Sequence, residues 1–84
     1  MYKVLLVDDE YMITEGLKRL IPFEKWDMEV VATANHADDA LDYVREHPVD
    51  IVISDVNMPD KTGLEMIWEM KDLLPDAYYI LLSG

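Results

Sequence analysis

Asp55 closes the run Asp50-Ile51-Val52-Ile53-Ser54 and is followed by Val56-Asn57-Met58-Pro59 and, after Asp60-Lys61-Thr62, by Gly63. A carboxylate that ends a buried strand stands where open α/β sheets hold their ligands, in the crevice outside the strands' carboxyl ends. The amino-terminal run Lys3-Val4-Leu5-Leu6-Val7 ends the same way, on Asp8-Asp9-Glu10. If these two strands are parallel neighbours, Asp8, Asp9 and Asp55 meet at one corner. Three carboxylates that close repel one another, so the arrangement calls for a compensating cation or for raised pKa values. A plainer reading is local: Asp8 and Asp9 cap the following helix, and Asp55 starts a turn before Met58-Pro59. One acid suffices for a cap, and the three acids together are better explained by a shared site.

The elements that must position these acids are legible from periodicity. Met12, Ile13, Leu17, Leu20 and Ile21 recur at helical spacing and predict a helix over 11–21, closed by Pro22. Met28 to Ala34 reads as a second strand, and Ala37, Ala40, Leu41 and Val44 as the apolar stripe of a second helix that stops before Pro48. Val49 to Ser54 is the third strand. Gly63, Ile67, Met70 and Leu74, with Leu64 and Trp68 beside them, predict a third helix ended by Pro75, and Tyr78 to Leu82 a fourth strand. The order βαβαβαβ, with short connections, makes each helix a crossover between parallel strands. Right-handed crossovers leave few topologies, and a doubly wound sheet in the order 2-1-3-4 is the most economical. Trp26, in Ile21-Pro22-Phe23-Glu24-Lys25-Trp26-Asp27, is expected to plug the gap between the first helix and the second strand.

Composition narrows the function classes. The chain of 84 residues is one piece of one domain, of a size that buries only roughly 60% of the surface exposed when unfolded. It is 51% hydrophobic and 30% charged, the balance of a folded globular chain. With 18 acidic and 7 basic residues its formal charge is −11, which argues against nucleic acid binding by this segment. No apolar run approaches the roughly 20 residues of a membrane span, and the N-terminus leads straight into a strand, so a cytoplasmic location and no membrane partner are expected. There is no cysteine, which excludes thiolate metal sites and disulfides. His36 and His47 flank the second helix and read as exposed terminal residues. The six methionines and Trp68 read as core filler.

These residues bring the chain into likeness with a known family. From Leu6-Val7-Asp8-Asp9-Glu10, through Asp55-Val56-Asn57-Met58-Pro59 with Gly63, to Leu81-Leu82-Ser83-Gly84, it resembles the receiver domain of bacterial two-component response regulators. The resemblance implies a flavodoxin-like fold, whose strand order is 2-1-3-4-5. It implies that Asp55 is the phosphoacceptor, a carboxylate nucleophile forming an acyl phosphate. It implies Mg²⁺ held by Asp9, Asp55 and the backbone carbonyl of Asn57, with Asp8 nearby or acting through water, because phosphoryl transfer to a carboxylate needs charge neutralisation. Ser83 corresponds to the hydroxyl residue that bonds the phosphoryl group and moves on activation. The implied partners are a histidine kinase and an effector domain in the parent chain. The long connection around Trp26 is similar to receivers joined to AraC-type DNA-binding domains. Thr62 stands where the family often has an acid or Asn, a departure that touches nothing essential.

By the same resemblance, residues 1–84 are the amino-terminal part of a receiver, with the fourth helix, fifth strand and fifth helix lying beyond Gly84. The family's lysine lies there too, since none of Lys3, Lys18, Lys25, Lys61 or Lys71 ends a corresponding strand. The chain is therefore read as a phosphoacceptor module and not an enzyme. Two other readings stay open. One is a structural half-flavodoxin piece or design component without signalling activity. The other is a metal-dependent phosphatase of the haloacid dehalogenase type, ranked last because Asn57 stands where that class places its second acid. Finally, the order 2-1-3-4 leaves Tyr78–Leu82 as an apolar edge, which invites pairing with a second copy in a two-fold homodimer.

Overall fold

In a computed structural model, which describes residues 1–59 and 61–82, the chain runs β1 (Tyr2–Val7), α1 (Tyr11–Leu20), β2 (Met28–Ala34), α2 (Ala37–Glu46), β3 (Ile51–Asp55), α3 (Gly63–Leu73) and β4 (Tyr78–Leu82). A single 3-10 turn, Phe23–Trp26, joins α1 to β2. The four strands form one sheet in the order β2-β1-β3-β4, with every neighbouring pair parallel. This is the doubly wound order that right-handed crossovers make most economical, and the flavodoxin-like fold that the resemblance implies.

The central strand shows why the sheet has two cores. Val4 to Val7 are all buried, and alternate side chains point to opposite faces. Leu5 and Val7 join Ala37, Ala40, Leu41, Val44, Val52, Met66, Ile67 and Met70 in the larger cluster, where α2 and α3 pack. Val4 and Leu6 join Phe23 in the smaller one, lined by Leu17, Ile21, Met28, Val30, Ile51 and Ile53 on the α1 side. Each fully buried Leu or Val contributes about 1.5–3 kcal/mol relative to an exposed one, so β1 alone anchors both layers. The register of β1 against β2 slips by one residue between Val4 and Leu5, a bulge that passes over Val31.

Several expectations about individual side chains change. Trp26 is 66% exposed, and Phe23, at 4%, is the residue that plugs the space beside Val4 and Leu6. The 3-10 turn ends on Asp27 in the left-handed region, φ 58°, so the chain swings outward as it approaches β2. On α1, Met12 and Leu20 are both 82% exposed, whereas Thr14 is fully buried with its hydroxyl donating to the Tyr11 carbonyl. Among the described residues α1 is alone on its face, so its apolar stripe is wider than the strands that cover it. Leu64 and Trp68 are exposed, whereas Ile67, Met70 and Leu74 are buried as the spacing predicts and Met66 joins them in the core. β3 begins at Ile51, two residues later than the apolar run indicates, and Asp50 before it is tied to Lys3, accepting from the Lys3 N–H through its carboxylate (2.7 Å) and donating its own N–H to the Lys3 carbonyl (2.9 Å).

Candidate functional site

The parallel pairing of β1 with β3 sets Val7 beside Ser54. The next residues on each strand are Asp8 and Asp55, and the loop that starts there carries Asp9. One ligand oxygen from each of Asp8, Asp9 and Asp55 lies within 4.8 Å of the others. Asp8 and Asp55 are partly buried and Asp9 is exposed, so the cluster opens to solvent from the sheet edge. Burial pushes the Asp8 carboxyl above its ordinary range, the Glu10 N–H pulls it partly back, and the charges of Asp55 and Asp9 add to the rise. The ion pairs among the described residues lie elsewhere, with Lys61 joined to Asp38 and Glu69 and Arg45 to Asp42. Three hard oxygen donors at this spacing, with no side-chain cation among them, fit a small divalent cation with room left for water or substrate oxygens.

The two acidic segments are held in different ways. Neither Asp8 nor Asp9 caps α1, whose N-cap is Glu10 without a side-chain cap bond. Instead Asp8 Oδ1 accepts from the Glu10 N–H at 2.9 Å, which folds the turn back on the carboxylate. Asp55 is fixed from three directions. The fully buried Ser54 donates its hydroxyl to the Asp55 carbonyl at 2.9 Å, and Val56 N–H donates to the Leu82 carbonyl at 3.2 Å. Gly63 N–H then donates to the Val56 carbonyl at 2.8 Å, so α3 starts directly on the strand end. A Cβ at Gly63 would lie 2.2 Å from the Asp55 carbonyl oxygen, well inside van der Waals contact for a carbon, and this is why a glycine stands there. Thr62 and Glu65 complete a capping box that secures the helix in that position.

Asn57 is exposed in the loop two residues past Asp55, with Met58 buried behind it. Ser83 lies outside the described residues. His36 and His47 are exposed at the N-cap and C-cap of α2, as terminal residues. Two residues that support the acids escape periodicity. Ser54 is signalled only by being polar inside an apolar strand. Asn35, whose Nδ2 donates to the Asp8 carbonyl at 2.8 Å, lies 27 positions away in sequence.

An open parallel sheet with a trio of acids at the carboxyl ends of adjacent strands defines a class: doubly wound domains whose ligand crevice lies outside the carboxyl ends of the strands, lined here by acids. Comparison with known proteins gives the family. The model of the response regulator receiver domain matches residues 4–84. An uncharacterized response regulatory protein of Staphylococcus epidermidis is 41% identical over 84 residues, all of this chain and 33% of that protein. The transcriptional regulatory protein HptR of Staphylococcus aureus is 36% identical over the same 84 residues, 32% of its length. Among solved structures, the REC domain of AraT, a response regulator from Geobacillus stearothermophilus, matches with a TM-score of 0.91 and 36% identity, over 99% of this chain and 64% of that one. A two-component transcriptional regulator AraC from Clostridium phytofermentans matches with a TM-score of 0.93 and 28% identity, over 100% of this chain and 68% of that one. The chain belongs to the receiver domain family of two-component response regulators, and it spans about a third of the length of the sequence relatives it matches. No helix among the described residues is long and apolar enough to cross a membrane.

Proposed function

We propose that the chain is a phosphoacceptor module in which Asp55 receives a phosphoryl group from a histidine kinase and the change is passed to an effector domain of a longer parent, residues 1–84 being the first part of the receiver. The observation that carries the reading is the convergence of Asp8, Asp9 and Asp55 within 4.8 Å at the strand ends of this fold. A carboxylate oxygen of Asp55 attacks the phosphorus of the donor. The P–N bond of a phosphohistidine, or the P–O bond of a small acyl phosphate, breaks with its electron pair going to the leaving group. Asp8, Asp9, Asp55 and the Asn57 carbonyl would hold Mg²⁺, which when bound neutralises charge on the transferred group. Asp55 is aimed by Ser54 and Gly63, which both meet its carbonyl oxygen, Ser54 through its hydroxyl and Gly63 by close approach. Ser83 would bond a phosphoryl oxygen of the product.

The likeness to regulators named as AraC-type and as transcriptional regulators supports a DNA-binding effector in the parent. The charge of −11 keeps the nucleic acid contact away from this segment. A cytoplasmic setting, where phosphoryl donors made with ATP are present, belongs to the same reading. No side-chain cation pairs with the three acids among the described residues, and loss of one charge-stabilising group at such a site costs on the order of 10² in rate. The 84-residue chain treated with acetyl phosphate and Mg²⁺ should therefore gain a single phosphoryl group in low yield by intact mass, and EDTA or Asp55→Asn should remove it. Modification that survives Asp55→Asn would overturn the assignment.

A further inference from the structure

Beyond Val7 the ladder between β1 and β2 makes one more backbone bond, from Asp8 N–H to the Ala34 carbonyl at 3.1 Å. β2 ends at Ala34, and the chain turns through Asn35 and His36 into α2 at Ala37. The strand therefore ends before it can offer a backbone N–H to the next acceptor of a parallel ladder, the Asp8 carbonyl. The Asn35 side chain takes that place, with Nδ2 donating to the Asp8 carbonyl at 2.8 Å from a partly buried position. With the Glu10 N–H on its carboxylate, Asp8 is tied at its N–H, its carbonyl and its side chain.

We propose that Asn35 is a positioning residue of the acidic corner: its amide clamps the Asp8–Asp9 peptide in place of a strand donor and holds both acids toward Asp55. The clamp has a definite load to bear. With three carboxylates within 4.8 Å, repulsion is relieved most easily by rotating the Asp8–Asp9 peptide, because β1 has ended and the loop after it is exposed. A hydrogen bond on the carbonyl of that peptide opposes the rotation. The chemistry of the clamp also suits its setting. A neutral amide restrains the backbone without pairing with the carboxylates, whereas lysine or arginine there would bring a cation beside the very oxygens that a metal ion needs. Partners of this kind, one step removed from the ligands, change metal affinity by about 10–100-fold. The consequence for Mg²⁺ rests on the reading given under the proposed function, while the clamp itself rests on the hydrogen bonds.

Amide hydrogen exchange of the 84-residue chain in EDTA, followed by NMR, tests the clamp for Asn35→Ala and Asn35→Asp. Exchange at Asp8 and Glu10 should accelerate by about tenfold or more while Val4 to Val7 keep their wild-type rates. Titration with Mg²⁺, read on the same resonances, should show affinity weakened by about tenfold in Asn35→Ala. Asn35→Asp keeps the shape, loses the donor at neutral pH and adds a negative charge. It should exchange like Asn35→Ala, and its Mg²⁺ affinity should not exceed wild type, whereas a purely electrostatic role for position 35 would tighten binding. Wild-type exchange at Asp8 and Glu10, or uniform acceleration along β1, would overturn the clamp. A wild-type chain that shows no Mg²⁺ response would defeat the cation reading, and the exchange rates alone would still decide for or against Asn35.

Discussion

Asp8 is opposed in its charged form by burial and by the neighbouring acids. Burial raises its pKa above 3.8, and the nearby Asp55 and Asp9 charges raise it further, so its protonated form is the one the fold favours. A carboxyl whose folded pKa is raised stabilises the fold at low pH, and that contribution is lost as pH rises from the unfolded value through the folded one. At neutral pH the ionised group therefore burdens the metal-free chain. Asp8→Asn keeps the acceptor for the Glu10 N–H and removes the charge. Its melting temperature in EDTA at pH 7 should exceed wild type by a few degrees at most, and the difference should vanish near pH 3. Adding Mg²⁺ should raise the melting temperature of the wild type more than that of the variant. Thermal scans at the two pH values, with and without the metal, check both signs.

At the scale of elements, the contact that matters is the N-terminus of α3 on the end of β3. The helix is started by the Thr62–Glu65 capping box, and its first residue has no side chain because the Asp55 carbonyl occupies that space. Gly63→Ala would have to push the helix or the strand end away, an overpacking that costs about 1–3 kcal/mol. Because the displaced atom belongs to the peptide of Asp55, the proposed phosphoacceptor, phosphoryl acceptance from acetyl phosphate should fall further than stability alone accounts for. Urea denaturation and intact-mass assays on the same variant separate the two effects. An alanine placed instead at Gly16 of α1, where a Cβ would meet nothing within 4 Å, should change neither phosphoryl acceptance nor the core.

For the whole molecule, the sheet is unevenly covered. Among the described residues α2 and α3 close one face over the larger cluster, whereas the other face has α1 alone, and β4 forms an edge. Tyr78, Ile80, Leu81 and Leu82 on that edge are exposed, as are Met12 and Leu20 on α1. A flat apolar strand with unpaired backbone groups pairs readily with another chain. The 84-residue chain should therefore self-associate at micromolar concentration in sedimentation experiments, with a two-fold dimer through β4 as the simplest closed form. Ile80→Lys places a charge on the edge and should shift the population to monomer. A cooperative, well-folded wild-type monomer at the same concentration would show that the smaller sheet closes its own surface.

What the sequence determines by itself is the order of elements and the placement of acids at strand ends. The apolar run of β1, the stripe Ala37-Ala40-Leu41-Val44 and the breaks at Pro22, Pro48 and Pro75 are local signals, and local backbone physics is enough to read them. Parallel order follows from crossover handedness, which is why the meeting of Asp8 and Asp55 is already implicit in the chain. What only the tertiary structure decides is which part of each apolar stripe is covered. Phe23 rather than Trp26 fills the gap beside β1, and Met66 rather than Trp68 or Leu64 faces the core, because periodicity marks a helix face but not the width of what packs on it. The supports of the acidic corner belong to the same class. Asn35 reaches Asp8 across 27 positions and carries no local pattern, whereas Gly63 already stands in the motif after Asp55 and only the docking of α3 shows that the Asp55 carbonyl leaves no room for a side chain there.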